Sequence, residues 1–101
     1  MTNKEKLLLI IVNAGFSDQA VEVAQECGAS GATVITARGT GAHFVKLLGI
    51  HYEPEKEIIL SVVHEDIGHK IIDEIKNKIG KDTPTSGICF MMPIDGSTLL
   101  N

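Results

Sequence analysis

Apolar and polar residues alternate with two different periods along the first third of the chain. Leu7 to Val12 is apolar at every position, which is typical of a strand that is buried on both faces. Asn13 to Gly15 then turns the chain, and we expect Ser17 to cap an amphipathic helix that stops at Gly28. Thr33 to Arg38 alternates and predicts a second strand. The first half therefore predicts a βαβ unit.

The second half repeats this order. Glu57 to Val63 predicts strand three, and the isoleucines from Ile67 to Ile79 recur at helical spacing and predict a second helix that closes at Gly80. Gly87 to Met92 predicts strand four, which Pro93 ends. The pattern again indicates βαβ.

Two βαβ units that share one sheet predict an α+β fold. We expect a ferredoxin-like βαββαβ sandwich in residues 1–101, a single domain with a four-stranded antiparallel sheet and two helices on one face. Strands one, three and four carry apolar residues on both faces, so the face without helices would expose a large apolar surface in a monomer. Subunits are therefore expected to pack sheet against sheet.

The long connection over residues 39–56 is the first candidate for a functional segment. A connection of this length in a small domain is usually functional or disordered. Its middle contains Phe44, Leu47, Leu48 and Ile50, and these apolar residues argue against simple disorder. They predict either a short helix or a surface that docks on another protein.

A Gly-x-Gly sequence stands where strand two ends. Gly39 and Gly41 can adopt backbone conformations that turn several N–H groups toward one point, which would form an anion pocket. The same glycines could equally do no more than start a loop. A full dinucleotide-binding fingerprint would need a further glycine where Phe44 stands.

Charge and composition exclude several classes of protein. The net charge is −4, Arg38 is the only arginine, and three phenylalanines and one tyrosine are few for stacking bases, so a nucleic-acid surface is set aside. The apolar run at Leu7 to Val12 is too short for a signal peptide or a membrane span, and we expect a cytoplasmic protein. Cys27 and Cys89 are expected to be reduced thiols in the core.

The titratable residues do not form a catalytic pattern. Glu65 and Asp66 fit the first turn of helix two, where carboxylates interact favourably with the helix dipole. The serines have no partners that would indicate a nucleophile. His43 and His51 are the only metal candidates, and exposed loop histidines are the ordinary alternative. No catalytic or metal site is predicted.

Three segments together resemble the PII-type signal-transduction proteins, and the resemblance covers nearly the whole chain. These segments are Gly28 to Val34, Gly39 to Gly41, and the stretch from Gly87 to Ile94. The resemblance implies a compact trimer that binds an adenine nucleotide in clefts between subunits and is not an enzyme. Residues 39–56 then correspond to the T-loop, which contacts target proteins, often membrane transporters, and residues 81–87 correspond to the phosphate-binding loop.

The resemblance also implies roles for individual residues. It places nucleotide contacts at Thr33, Gly39, Thr40, Gly41, Lys56, Val62 and Gly87, and partner contacts at Phe44, Leu47, Leu48 and Ile50. The hydroxyl groups of Thr83, Thr85 and Ser86 are expected to bind the nucleotide as compensation for cations that are absent here. Lys56 would contact a phosphate, and Thr33 and Val62 would lie beside the base.

Cations that the family uses for phosphate are absent here. Ala42, Ile88 and the segment from Leu99 to Asn101 stand at positions where the resemblance implies basic residues. A charge-assisted contact contributes about 1.5–3 kcal/mol, so these losses favour a less charged ligand such as AMP or ADP over ATP, with hydroxyl groups and backbone amides as compensation. Whether Mg²⁺ or 2-oxoglutarate binds as well is left open by the sequence.

Two alternatives share the predicted architecture. One is a trimeric metal-binding protein that would use the loop histidines. The other is an acylphosphatase-like enzyme, which needs an arginine in the loop after strand one, where this chain has Asn13 to Phe16. Tyr52 is not equated with the modified loop tyrosine of some family members, because the connection here is shorter. The chain is thus expected to be a divergent, PII-like nucleotide-binding regulator.

Overall fold

A computed structural model describes residues 4–39, 46–47, 50–51 and 55–99. Its elements are β1 (Glu5–Asn13), α1 (Ser17–Glu26), β2 (Thr33–Arg38), β3 (Lys46–Leu47), β4 (Ile50–His51), β5 (Glu55–His64), α2 (Glu65–Ile79) and β6 (Ile88–Pro93). The hydrophobic pattern predicted each of the long elements, and β1 and β5 extend beyond their apolar stretches at both ends.

The four long strands form one sheet in the order β2-β5-β1-β6. Every neighbouring pair is antiparallel. The first strand is central, as predicted, and it runs parallel to β2 because β5 lies between them. This topology confirms the ferredoxin-like βαββαβ fold.

Both helices pack on the same face of the sheet and form the core with it. Burying a large aliphatic side chain of this kind contributes about 1.5–3 kcal/mol each. The largest fully buried aliphatic side chains are Leu8, Ile10, Val12, Ile59, Ile71 and Ile75. Three of these residues alternate along β1, Ile59 faces the same way from β5, and Ile71 and Ile75 recur on the inner side of α2, so the pattern was readable from the sequence.

The opposite face of the sheet is apolar and carries no helix. Leu7, Leu9 and Ile11 alternate with the buried positions of β1 and are only partly covered. Ile88 on the neighbouring β6 is 50% exposed, and Phe90 is 42% exposed. We call this surface the open face. Its apolar character agrees with the surface that the sequence predicted for a single subunit.

The start of α1 differs from the prediction. Ser17 does not cap the helix, because Phe16 occupies the N-cap position and makes no side-chain cap hydrogen bond. Ser17 is the first helical residue, and its hydroxyl instead donates to Glu57 Oε2 at 3.0 Å. The helix stops where expected, since Gly28 has φ +115°, a left-handed conformation that favours glycine.

The second helix begins directly after β5. His64 is the N-cap residue, and its Nδ1 accepts a hydrogen bond from the backbone N–H of Asp66. Glu65 and Asp66 lie in the first turn, as predicted. Lys78 Nζ lies 2.9 Å from Glu74 Oε2, and the two residues form an ion pair one turn apart on the helix surface.

Both cysteines are free thiols that are half-buried rather than fully enclosed. Burial raises the pKa of the Cys89 thiol to about 12. Burial, and next the nearby Glu74 carboxylate, raise the pKa of Cys27. Both groups are therefore protonated at neutral pH, which fits the predicted packing role.

Two short paired strands, β3 and β4, lie within the long connection. Lys46 pairs with His51, and Leu47 pairs with Ile50 in antiparallel register, so these positions are strands and not the helix that was one of the predicted options. Several other predicted positions lie outside the described residues, namely Thr40, Gly41, Ala42, His43, Phe44, Leu48 and Tyr52. None of the helices in the described residues is long and apolar enough to cross a membrane.

Candidate functional site

Four chain segments meet at one end of the sheet. β2 and β1 end there, and β5 and β6 begin there. The strand order therefore places four residues side by side across the sheet, in the order Gly39, Lys56, Asn13 and Gly87. Asn13 and Lys56 are direct partners in the register of β1 and β5. We call this row the strand-end site. It contains three of the residues that the resemblance implied for phosphate binding, and Asn13 in addition.

Asn13 makes contacts on both sides of its strand. Its Oδ1 accepts a hydrogen bond from Lys56 Nζ at 2.5 Å, and its Nδ2 donates to the carbonyl oxygen of Pro84 at 2.9 Å. Its backbone N–H donates to the carbonyl oxygen of Thr85, also at 2.9 Å. Sequence reasoning treated Asn13 only as part of a turn. The signal available was its position at the end of the central strand.

The bond from Lys56 leaves much of its donor capacity unused. A lysine ammonium carries three N–H donors, of which Asn13 takes one. The α-carbon of Gly39 lies beside the Lys56 stem, since a β-carbon placed on this glycine would be 3.9 Å from Lys56 Cγ. An anion bound at this end of the sheet would therefore find a cation next to the exit of β2.

The loop at residues 81–87 is held mainly by hydrogen bonds to neighbouring segments of the chain. The Thr83 hydroxyl donates to the carbonyl oxygen of Gly80 at 2.8 Å, and the Thr85 hydroxyl donates to Gln19 Oε1 at 2.8 Å. Thr85 is also almost fully buried, since only 2% of its surface is exposed. Two of the three hydroxyl groups expected to compensate for missing cations thus donate their protons within the chain.

Ser86 differs from these two threonines. Its φ is +51°, a left-handed conformation that is uncommon for a residue with a side chain. Its backbone N–H donates to the carbonyl oxygen of Thr83 at 3.0 Å, and its hydroxyl makes no hydrogen bond to another described residue. Ser86 is therefore the hydroxyl of this loop that remains available to a ligand.

The structure around the two glycines of the strand-end site differs in whether it requires glycine. A β-carbon on Gly87 would lie 2.6 Å from the carbonyl oxygen of Ile79 and 3.1 Å from Ile75 Cγ2, so packing against α2 alone requires glycine there. A β-carbon on Gly39 would make one contact, at the ordinary distance of 3.9 Å from Lys56. Within the described residues, the fold itself does not require glycine at position 39.

A cleft lies at the other end of the open face. It has a volume of about 290 Å³ and combines apolar side chains with the backbone that leads into β2. The lining residues are Leu7, Ser30, Gly31, Ala32, Thr33, Leu60, Ser61, Val62 and Leu99. The Ser61 hydroxyl donates to the carbonyl oxygen of Gly31 at 2.6 Å and fixes the segment before β2 against β5. We call it the β2-entry cleft; it includes both residues that the resemblance placed beside the base.

The strand-end site and the β2-entry cleft are far apart within one chain. Lys56 and Val62 lie on the same face of β5 and are separated along one strand, where each residue adds ~3.4 Å, which places them roughly 20 Å apart. A nucleotide that used both regions of a single chain would have to extend along the whole open face. One chain alone therefore does not assemble the complete set of predicted contacts.

The charge at the strand-end site is modest. Ile88, the position where the resemblance implies a phosphate-binding lysine, is half-exposed on the open face. Two lysines, Lys76 and Lys81, line a separate cavity of about 570 Å³ beside the 81–87 loop, which Thr83 and Gly87 also border. Among the described residues, Lys56 supplies the positive charge of the strand-end site itself.

The described side chains give no cluster for a metal ion. Within this part of the chain, no group of three or more histidine, cysteine, aspartate or glutamate residues is suitably placed. His43 lies outside the described residues, and His51 is placed only by its backbone in β4.

The βαββαβ fold is that of the PII-like signalling proteins, and a family model identifies the chain as one of them. The chain belongs to the nitrogen regulatory protein P-II family, whose model matches residues 5–99. Proteins of this family are signalling proteins and not enzymes, so the acylphosphatase-like alternative is excluded.

Solved structures show the same fold in distant relatives. A PII-like signalling protein from Thermus thermophilus is 21% identical, with 86% of this chain and 83% of that chain covered and a TM-score of 0.67. CPII, a nitrogen regulatory PII-like protein from Thiomonas intermedia, was solved with ADP, AMP and bicarbonate; it is 20% identical, with 89% of each chain covered and a TM-score of 0.70.

A second structure of CPII contains ADP, AMP and acetate. It is 17% identical, with 87% of this chain and 83% of that chain covered and a TM-score of 0.67. No curated protein matches the chain. At these identities the likeness establishes the fold.

Proposed function

We propose that this PII-family protein is a homotrimer that binds an adenine nucleotide in clefts between its subunits. The observation that carries the proposal is the separation of the two halves of the site along an apolar open face, roughly 20 Å from Lys56 to Val62. If open faces pack together, the strand-end site of one copy can meet the β2-entry cleft of another. A nucleotide bound between two copies would then not have to extend along the sheet of a single chain.

The two halves have complementary chemistry for a nucleotide. Lys56, the hydroxyl of Ser86 and the backbone N–H of Gly39 would bind phosphate, together with Thr40 and Gly41 of the long connection. Gly87 would lie beside the phosphate without donating to it, because its own N–H donates to the carbonyl oxygen of Ile79 at 2.7 Å. Thr33 and Val62 would bind the base within the cleft of about 290 Å³. Thr83 and Thr85 shape the phosphate loop through their bonds to Gly80 and Gln19.

A ligand with few phosphates fits the limited charge of the site. Each charged hydrogen bond to phosphate contributes about 1.5–3 kcal/mol. When Ile88 and Ala42 stand in place of cations, ADP and AMP therefore lose less binding free energy than ATP does. The ADP and AMP bound to CPII support the same choice of ligand class. A Mg²⁺ ion would assist ATP more than the other two nucleotides.

The long connection would carry the output signal. Nucleotide at Gly39 and Lys56 would order the base of residues 39–56 and shift the loop between conformations that do and do not present Phe44, Leu47, Leu48 and Ile50. The partner proposed for this surface is a membrane transporter, approached from the cytoplasm, in keeping with a role in nitrogen regulation.

Calorimetric titration tests the nucleotide proposal directly. Wild-type protein is titrated with ATP, ADP, AMP and cyclic AMP, with and without Mg²⁺, and the experiment is repeated with Lys56→Ala. We expect micromolar binding of ADP or AMP, weaker binding of ATP, and an affinity about tenfold lower in Lys56→Ala. Lys70→Ala, which removes an exposed lysine from α2, is the matched control and should bind like the wild type.

Two results would contradict the proposal. One is the absence of heat with all four nucleotides for a folded protein whose mass is that of a trimer. The other is an equal loss of affinity in Lys56→Ala and Lys70→Ala, which would assign the effect to overall charge and not to the strand-end site.

A further inference from the structure

We infer that Asn13 is a positioning residue that holds Lys56 in place for a phosphate group, and this inference rests on the nucleotide proposal above. The residue lies at the end of the central strand, between the two segments that would contact phosphate. Its carboxamide contacts both of them, Lys56 through Oδ1 and Pro84 through Nδ2.

The chemistry of these contacts selects an amide. Oδ1 accepts from the Lys56 ammonium, while Nδ2 donates to a carbonyl oxygen, and a carboxamide is able to do both at once. An aspartate could accept from Lys56 but would place a negatively charged oxygen against the Pro84 carbonyl. An alanine would make neither contact.

The side chain and the backbone of Asn13 have separable roles. The backbone N–H donates to the Thr85 carbonyl oxygen, and the backbone N–H of Ala14 donates to the Glu55 carbonyl oxygen at 3.2 Å. Both bonds survive a side-chain substitution. The carboxamide therefore adds to an attachment that already joins β1 to the 81–87 loop and to the start of β5.

Positioning matters for a lysine more than for a shorter side chain. The four-carbon stem of Lys56 gives the ammonium many rotamers, and restricting them in advance reduces the entropy lost when phosphate binds. The bond to Asn13 occupies one of the three donors, so phosphate can bind without displacing it. The consequence is specific: loss of the carboxamide weakens ligands that carry phosphate and leaves a nucleoside unaffected.

The test compares ligands with and without phosphate in a double-mutant cycle. Wild type, Asn13→Ala, Lys56→Ala and the double variant are titrated with ADP and with adenosine, and Gln25→Ala on the exposed side of α1 is the control. We expect Asn13→Ala to weaken ADP about tenfold and to leave adenosine within about twofold of wild type. In the Lys56→Ala background, removing the carboxamide should change ADP affinity by less than about twofold.

Asn13→Asp provides a second comparison in case Asn13→Ala does not fold. Asn13→Asp retains an acceptor for Lys56 and is expected to bind ADP more weakly than Asn13→Ala, since its charge repels phosphate. If the alanine variant does not fold, the aspartate variant carries the comparison between ADP and adenosine.

The inference is overturned if Asn13→Ala binds ADP like the wild type, if ADP and adenosine weaken equally, or if the two substitutions are additive. A wild type that binds no nucleotide instead refutes the nucleotide proposal, and the same variants are then titrated with pyrophosphate. The role of Asn13 would be upheld by two results together. Pyrophosphate should bind more weakly to Asn13→Ala than to the wild type, and no more weakly to the double variant than to Lys56→Ala. No pyrophosphate binding by the wild type would overturn it.

Discussion

The carboxylate of Glu57 accepts a hydrogen bond of 2.6 Å from the backbone N–H of Gly15. The same carboxylate accepts from the Ser17 hydroxyl at 3.0 Å, so the start of β5 is joined to the start of α1. A carboxylate near a helix N-terminus also interacts favourably with the helix dipole. Glu57 thus supplies from another strand the hydrogen-bond acceptor that Ser17 was expected to supply locally, and it adds a negative charge.

The Glu57 contact predicts a pH-dependent loss of stability in Glu57→Gln. The Gly15 N–H first, and the Ser17 hydroxyl second, hold the pKa of Glu57 below its ordinary value of 4.5. A lowered folded pKa stabilises the protein above the unfolded pKa, and this stabilisation is lost as the pH falls through the folded pKa. Because the carboxylate is accessible to solvent, we expect a loss of about 1 kcal/mol at pH 7.

Urea unfolding at one protein concentration measures this difference at pH 7 and at pH 3. The gap between wild type and Glu57→Gln should narrow at the lower pH. Glu22→Gln, on the exposed side of α1, is the control and should leave both values unchanged. A gap of equal size at both pH values would show that the charge of Glu57 is not the cause.

The fold was predictable because its signals are local and periodic. The continuous apolar run from Leu7 to Val12 identified the central strand, and the isoleucine spacing from Ile67 to Ile79 identified α2. These patterns report burial on one or both faces of an element, which each segment displays in its own sequence. The antiparallel order followed from the two repeated units.

The details of the site were less predictable because they depend on contacts between distant segments. The partners of Asn13 and Thr85 lie 71 and 66 residues away along the chain for the bonds to Pro84 and Gln19. A turn sequence at Asn13 gives no sign of this pairing. Similarly, the hydroxyl of Thr85 looked available in the sequence, but the fold buries it and engages it with Gln19.

Gly87→Ala is expected to destabilise the fold. A β-carbon there would lie 2.6 Å from the Ile79 carbonyl oxygen, so the 81–87 loop or the end of α2 must shift. The expected cost is about 1–3 kcal/mol in the free energy of unfolding, measured with urea. At Gly96 a β-carbon would meet nothing within 4 Å, which makes Gly96→Ala the matched control. An unchanged midpoint in Gly87→Ala would show that this contact relaxes without cost.

Ile88→Lys should strengthen nucleotide binding. Ile88 lies on the open face directly after the 81–87 loop, in the last register pair of β1 and β6, so the proposed nucleotide cleft and not the middle of the packed faces would receive a lysine there. One added charged contact to phosphate is worth about 1.5 kcal/mol at the lower end, or about tenfold in affinity. Calorimetry should show the gain for ATP and ADP but not for adenosine. Gln25→Lys on α1 adds the same charge far from the site, and an equal gain there would contradict the assignment.

Leu9→Glu should dissociate the proposed trimer. Leu9 lies on the open face in the central strand, where its register partners are Leu60 and Phe90, so packed subunits would bury the new carboxylate among apolar side chains. Burying an unpaired charge costs several kcal/mol, more than the burial of one apolar side chain contributes. Light scattering should then give the 10.8 kDa mass of one chain for the variant and about three times that mass for the wild type.

Val34→Glu is the control, because it places the same charge on the opposite face, at a side chain that is 45% exposed, and should keep the wild-type mass. A wild type of monomer mass would refute the trimer, and an unchanged mass in Leu9→Glu would locate the interface away from the open face.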